Sequence, residues 1–335
     1  MITSFHGNTA DEVWTAALRT IKRGQPHKQP GRGGPTKELL HTSLSIADPR
    51  QRWILSRRPA LNPAFAIAEI IWIMTGRNDL HFLQYWFKGL SKFVGSHPRT
   101  HGAYGFRLLK HFGFDQLTRA YHALESKPAS RQVVLQIWDP KQDFPYHSGR
   151  ERSKDIPCNV LSLVKVRNSR LEWMQIMRSN DLYRGLPYNL IQFTSMQEIM
   201  AGWLGGSLGS FNQISDSLHL YIRDLPSIKI CPPSKPSPNR DCLNLPYRES
   251  QKAFRELART VEQLQSEPPK KAVEPFIHHS IPTGHCNLLR ILVAEHCRRR
   301  GWPDMAEHAI DACTNPALVT AWKNWMARHD RRLEC

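Results

Sequence analysis

Residues 62–75 constrain this chain more than any other segment. Phe65, Ile67, Ile70, Ile71, Trp72, Ile73 and Met74 make the stretch nearly continuous in apolar side chains. A helix of that composition is buried on most of its sides. Glu69 stands inside it. An unpaired carboxylate there is costly, so Glu69 is either half of a buried ion pair or a working acid. Any fold for the chain must wrap other elements around this helix and give that carboxylate something to do.

Residues 8–23 predict an amphipathic helix through Val13, Trp14, Ala17, Leu18 and Ile21. Residues 24–35, with Pro26, Pro30, Gly31, Gly33 and Gly34 around Arg32, predict a long loop that wraps an anion or merely turns the chain. Strands are expected at 39–46, 131–138, 157–166, 171–178 and 215–221, with a turn at 167–169 and a long helix at 190–204. Strands and helices that do not alternate strictly predict an α+β fold rather than a doubly wound sheet. Beyond Asp224 the texture changes: 225–247 is rich in Pro, Ser and Lys and predicts a linker, 249–265 a helix, and 285–329 two or three more. The chain accordingly divides into residues 1–224, which carry the chemistry, and a loop-rich, helical extension over 225–335, with packing of the extension on the same core left open.

With 40% hydrophobic and 22% charged residues, the 335-residue chain is globular and not disordered. Its net charge of +17 attracts phosphates, whether on a mononucleotide, a polyglutamyl-type polyanion or a nucleic acid. Local runs at Arg52, Arg57 and Arg58, at Lys270 and Lys271, at Arg298, Arg299 and Arg300, and at Arg331 and Arg332 read equally well as a solvated basic face. Seven widely spaced cysteines without a CxxC pair argue against a disulfide framework or a zinc ribbon, and no metal site is expected. Asp11 and Glu12 interrupt the N-terminus, and no stretch approaches the ~18 apolar residues of a membrane span. A reducing cytoplasm and no membrane partner are therefore expected.

Reactive side chains concentrate in residues 157–221. Pro157-Cys158 precedes a hairpin, Arg178-Ser179-Asn180-Asp181 follows it, and Gly185-Leu186-Pro187-Tyr188-Asn189 opens the long helix. A nucleophilic cysteine needs thiolate character, and a nearby arginine lowers its pKa; Arg178 is the candidate. Taken alone, Cys158 reads as a plain buried thiol.

Taken together, the PC, RSND, GLPYN and HLY elements, in this order and spacing, resemble the signature of the thymidylate synthase and deoxycytidylate hydroxymethylase family, with Tyr188 where Phe is usual. Ala68-Glu69-Ile70-Ile71-Trp72 is similar to its E-L-L-W helix and Ala103-Tyr104-Gly105 to its V-Y-G segment, and the likeness spans roughly residues 8–224. It implies that Cys158 adds to C6 of a pyrimidine nucleoside monophosphate, with Glu69, Tyr104 and Asp181 in the catalytic group. Arg178, Ser179 and Arg32 would hold the phosphate, joined by Arg131 from the other subunit of a homodimer. His219 and Tyr221 would bind the sugar hydroxyl, and Asn189 would favour uracil. The implied donor is 5,10-methylenetetrahydrofolate.

Several positions depart from the family. Asn159 follows the cysteine where His is usual, Gln132 replaces a second phosphate arginine, and Met177 and Arg184 replace Gln and Leu. Where an indole would shield the donor, Leu90, Ser91, Lys92 and Phe93 stand instead, with Trp86 too early. Family members end in a short apolar tail over the folate, whereas this chain continues to Arg331-Arg332-Leu333-Glu334-Cys335. A wetter site would let water quench the exocyclic methylene, so a 5-hydroxymethyl product is expected as readily as a 5-methyl one. Two rival readings remain: a retired synthase fold that binds nucleic acid through its basic surface, and a C5-modifying enzyme with a non-folate donor.

Overall fold

The computed structural model describes residues 2–24 and 26–329; the expected Arg331–Arg332 pair and Cys335 lie outside them. As expected, the architecture is α+β. Among the described residues nine strands form: β1 (Thr3–Gly7), β2 (His27–Gly31), β3 (Gly34–Ile46), β4 (Arg57–Arg58), β5 (Val134–Gln136), β6 (Asn159–Arg167), β7 (Arg170–Asp181), β8 (Ser207–Tyr221) and β9 (Lys229–Ile230). Seven make one mixed sheet in the order β1-β3-β8-β7-β6-β5, with β2 on the same edge of β3 as β1; β4 and β9 form a small ribbon. β7 and β8 run parallel, and the helix Gly185–Trp203 is the crossover that this direction requires.

Three expectations change. The 24–35 loop is a hairpin: β2 pairs with β3 from His27↔Glu38 to Gly31↔Gly34, closing through Arg32 and Gly33, with Gly34 at φ +114°. Glycine adopts that φ freely, so the residues that suggested a loop supply the turn between two strands. The expected 131–138 strand shortens to Val134–Gln136, because only these three pair in regular register with β6; Ile137 and Trp138 N–H both converge on Val160 O instead. The expected 215–221 strand lengthens to Ser207–Tyr221, because β8 lies between β3 and β7 and bonds to both. At the β6–β7 turn, Asn168 and Ser169 take φ of 49° and 59°, the primed geometry of a two-residue hairpin.

The Pro63–Met74 helix is the hub. Asn62 caps it through Phe65 N–H, and every one of its residues except Glu69 is buried. A buried Ile or Phe contributes about 1.5–3 kcal/mol, so this face fixes the helix firmly. The Gly185–Trp203 crossover packs against it, as do three helices of the extension: Tyr247–Gln265, Thr283–Arg299 and Pro316–His329. Residues of the extension such as Leu257, Leu289 and Leu318 join one continuous hydrophobic cluster with Ile67 and Phe193. The linker is stitched down by amides: Asn287 and Asn315 donate to Asp241 at 2.9 and 2.6 Å. No helix among the described residues is long and apolar enough to cross a membrane.

Candidate active site

A cavity of about 570 Å3 opens beside the hub helix, lined by Glu69, Tyr104, Asp155, Cys158, Asn189 and Gln192 among others. Glu69 is the helix's one residue that is not fully buried, and it reaches the cavity from this wall. Its Oε2 is buried without a partner. Burial outweighs the relief from the neighbouring Gln192 amide and pushes the carboxyl up to about 8. Of the two readings of Glu69, the ion pair falls away: no cation pairs with it among the described residues.

Tyr104 faces it across a very close backbone approach. A Cβ on Gly105 would stand 2.3 Å from Ile73 O, so only glycine lets the Tyr104 segment lie against the hub helix. The Tyr104 ring stacks on Phe193 at 5.8 Å. Burial, then the neighbouring Cys158 and Asp155, raise its phenol well above the ordinary value.

Cys158 sits just before β6, where Arg178 N–H donates to its carbonyl at 2.9 Å. Arg178 Nε and Nη2 donate to Pro157 O and Ile156 O at 2.9 and 3.1 Å, so the guanidinium holds the loop that presents the thiol. The expected depression of the thiol is not found on balance. Burial pushes Cys158 up; Arg178 and Arg32 pull it down, and Asp155 pushes it up again. Asp155, which the sequence reading passed over, accepts Gly102 N–H at 2.7 Å, and burial raises its carboxyl to about 6.

Asn189 opens from the crossover helix, 8% exposed, and its Nδ2 donates to Gln192 Oε1 at 3.2 Å. Asn189, Gln192 and Glu69 thus make one polar line along the cavity. Asp181 Oδ1 accepts the N–H groups of Tyr183 and Arg184 at 2.8 and 2.9 Å, which fixes the turn from β7 into that helix. Asp181 does not line the cavity.

The expected phosphate and sugar residues gather nearby at the ends of the strands, outside the cavity lining. Ser179 Oγ is 3.5 Å from His219 Nδ1, and register places Asp181 opposite His219. Tyr221 lies under the Arg32 turn, where a Cβ on Gly33 would stand 3.1 Å from its ring. Arg32 Nη1 reaches Glu151 Oε2 at 3.3 Å and Lys154 O at 2.5 Å, in the segment leading to Cys158. Arg131 is the exception: it is exposed just before β5 and away from these groups.

The departures also have places. Asn159 is fully buried at the start of β6, where Gln175 donates to it, and it does not line the cavity, so it does not substitute for a cavity histidine. Arg184 lines the cavity and pairs with Asp224 at 2.9 Å. Trp86 is buried, with no place in the cavity lining, yet the wall has two indoles, Trp72 and Trp325. Trp325 arrives from the last helix, along with Arg328. No local sequence signal pointed to either. Away from the cavity, Glu274, His278 and His308 hold ligand-type atoms within 4.8 Å of one another.

A thymidylate synthase family model matches residues 17–271. The chain is 33% identical over 232 residues to the deoxyuridylate hydroxymethyltransferase of Bacillus phage SP01, covering 66% of this chain and 59% of that one. It is 32% identical over 175 residues to the deoxyuridylate hydroxymethyltransferase of Pseudomonas phage M6, covering 52% and 48%. A putative thymidylate synthase of Methanothermobacter thermautotrophicus is 26% identical over 225 residues, covering 66% and 94%. The chain thus spans about half to three fifths of the length of these phage relatives.

Proposed function

The chain belongs to the thymidylate synthase family, and on that basis we propose that it transfers a one-carbon unit to C5 of a pyrimidine nucleoside monophosphate, with uracil the favoured base. The observation that carries this reading is the convergence of Cys158, Glu69, Tyr104 and Asn189 on one cavity. Cys158 Sγ adds to C6, and the displaced electron pair makes C5 a carbon nucleophile. Arg178, Arg32 and Ser179 hold the phosphate, for which guanidinium forks are well suited. His219 and Tyr221 take the sugar hydroxyl. The Asn189 amide both donates and accepts, so it reads the O4 and N3–H edge of uracil, with Gln192 steadying it. Glu69, protonated at neutral pH, stores a proton beside the ring, and Tyr104 assists removal of the C5 proton. Asp181 acts as a positioning residue through its hold on the turn that presents Asn189.

The cavity's other wall suits a flat heteroaromatic donor: Trp72, Leu83, Phe87, Leu90, Phe93 and Trp325 line it. These residues fit 5,10-methylenetetrahydrofolate, which when bound supplies a one-carbon unit at the oxidation level of formaldehyde. We favour the 5-hydroxymethyl product. Asp155, ionised near neutral pH and close to Cys158, can orient a water and take its proton as the oxygen bonds to the exocyclic carbon. The enolate re-formed at C5 then expels Cys158 from C6 as thiolate. The names of the two phage relatives support the same choice.

The sheet's uncovered face supports a homodimer. Val134, Leu163 and Met174 lie side by side in register, as do Leu161, Ile176 and Ile214, on the face opposite the crossover helix. Val134 is 45% and Ile214 38% exposed, so a second copy packed there would cover an apolar strip and bring Arg131 to its partner's phosphate site. The free cysteines of the described residues suit a reducing cytoplasm.

Mass spectrometry of dUMP, UMP, dCMP and CMP after incubation with the protein and methylenetetrahydrofolate tests the reaction, with Cys158→Ala as control. A gain of CH2O supports hydroxymethylation and a gain of CH2 means methylation. No product from any nucleotide sinks the folate reading.

A further inference from the structure

One wall of the cavity carries charge that the chemistry above leaves unused. Arg57 is 5% exposed and lines the cavity. Its Nη1 donates to Pro59 O and its Nη2 to Tyr183 O, while the guanidinium lies 4.1 Å over the Tyr183 ring. Its buried Nε–H has no partner. No carboxylate among the described residues pairs with it, whereas Arg184, another cavity arginine, is neutralised by Asp224. Burial pulls the pKa of Arg57 down, and nearby Arg328 adds to that pull. Two cations facing one cavity, neither with a carboxylate paired to it among the described residues, are costly unless an anion joins them.

Arg328 comes from the last helix. Its Nη1 donates to Ala60 O at 2.9 Å, and its guanidinium carbon lies 5.3 Å from the centre of the Trp325 ring. That indole is held in turn: its Nε1–H donates to buried Glu295 Oε2 at 3.1 Å, and Arg298 and Arg299 clamp Glu295. The wall is thus rigid, flat and cationic. It differs from the wall of Cys158, whose thiol responds to Arg178 and Arg32.

We propose that Arg57 and Arg328 form an oxyanion-binding subsite, completed by the C-terminal helix, that takes the acidic end of a molecule bound in the cavity. The oxyanion is a carboxylate of the donor's glutamyl end or the phosphate of the nucleotide. Only the carboxylate source rests on the folate reading.

Calorimetric titration of the full chain with dUMP, folate and pteroate, which lacks the glutamyl carboxylates, decides the matter in wild type, Arg328→Met and Arg328→Lys. The expected result is an about tenfold loss of folate affinity in Arg328→Met, the scale of one charge-assisted contact. Pteroate and dUMP binding should stay unchanged, and Arg328→Lys should restore most of the loss. A fall in dUMP affinity instead assigns the subsite to phosphate. If wild type binds dUMP but neither pterin, the folate reading fails and the dUMP arm alone decides. Equal binding of every bound ligand by wild type and a folded Arg328→Met overturns the subsite.

Discussion

The two walls of the cavity are built in opposite ways. The Cys158 wall comes from two neighbouring pieces of one stretch of chain, Asp155 to Cys158 leading into β6 and Tyr183 to Gln192 leading from β7 into the crossover helix, and the pairing of β6 with β7 sets their places. The facing wall is assembled from residues far apart: Arg57, Trp72, Phe93, Trp325 and Arg328. The first is rigid by pairing and the second by packing, so substitutions should separate them. The first should govern chemistry and base choice, and the second the affinity for whatever lies opposite the nucleotide.

The largest effect is expected at Cys158. Cys158→Ala should lower turnover by about 10^4-fold or more while the melting temperature stays close to wild type, because a nucleophile has no substitute. Retained turnover would place the chemistry elsewhere and end the contrast. Next, Asn189→Asp should cut kcat/KM for dUMP by about 10^2-fold and raise that for dCMP, since a mismatched buried polar edge is penalised heavily. Steady-state rates with both nucleotides check it; equal losses on both would mean that Asn189 only packs.

A thermal effect comes third. Glu69 holds its proton more tightly when folded, with a pKa of about 8 against an ordinary 4.5. Its contribution is therefore fully present below about pH 4.5 and is lost as pH rises to about 8. Glu69→Gln, which cannot ionise, should gain on wild type across that window, by roughly 3 °C or more in Tm at pH 9 relative to pH 5. Parallel melting curves at the two pH values would refute a buried, proton-bearing carboxyl. The smallest effect is at Asp155. Asp155→Asn removes an anion that pushes the Cys158 thiol up, so alkylation at pH 7.5 should speed up about threefold. An unchanged alkylation profile would separate Asp155 from the thiol.

The same contrast explains what the sequence could disclose. Cys158, Asn189 and Glu69 were legible because each belongs to a compact motif or breaks an apolar pattern within one helix. Arg32 was singled out from a segment whose setting was misread: glycines and prolines announce a turn, but cross-strand partners decide whether strands flank it. Trp325 and Arg328 were not legible, since on their own helix they are ordinary members of an amphipathic pattern. Only the packing of that helix on Leu55 and Ala60 turns them toward the cavity. The net shift of the Cys158 thiol was hidden for a similar reason, because burial and Asp155 outweigh an arginine whose presence alone could be read.

The late arrival of Trp325 also matters in time. It is made roughly 170 residues after Cys158, a delay of about 10–30 s at ordinary rates of synthesis. During that interval the strands around Cys158 have been made, and the part of the facing wall that Trp325 and Arg328 supply has not. A nascent chain can therefore present its thiol to the cell while the cavity opposite it is still missing its last indole and guanidinium.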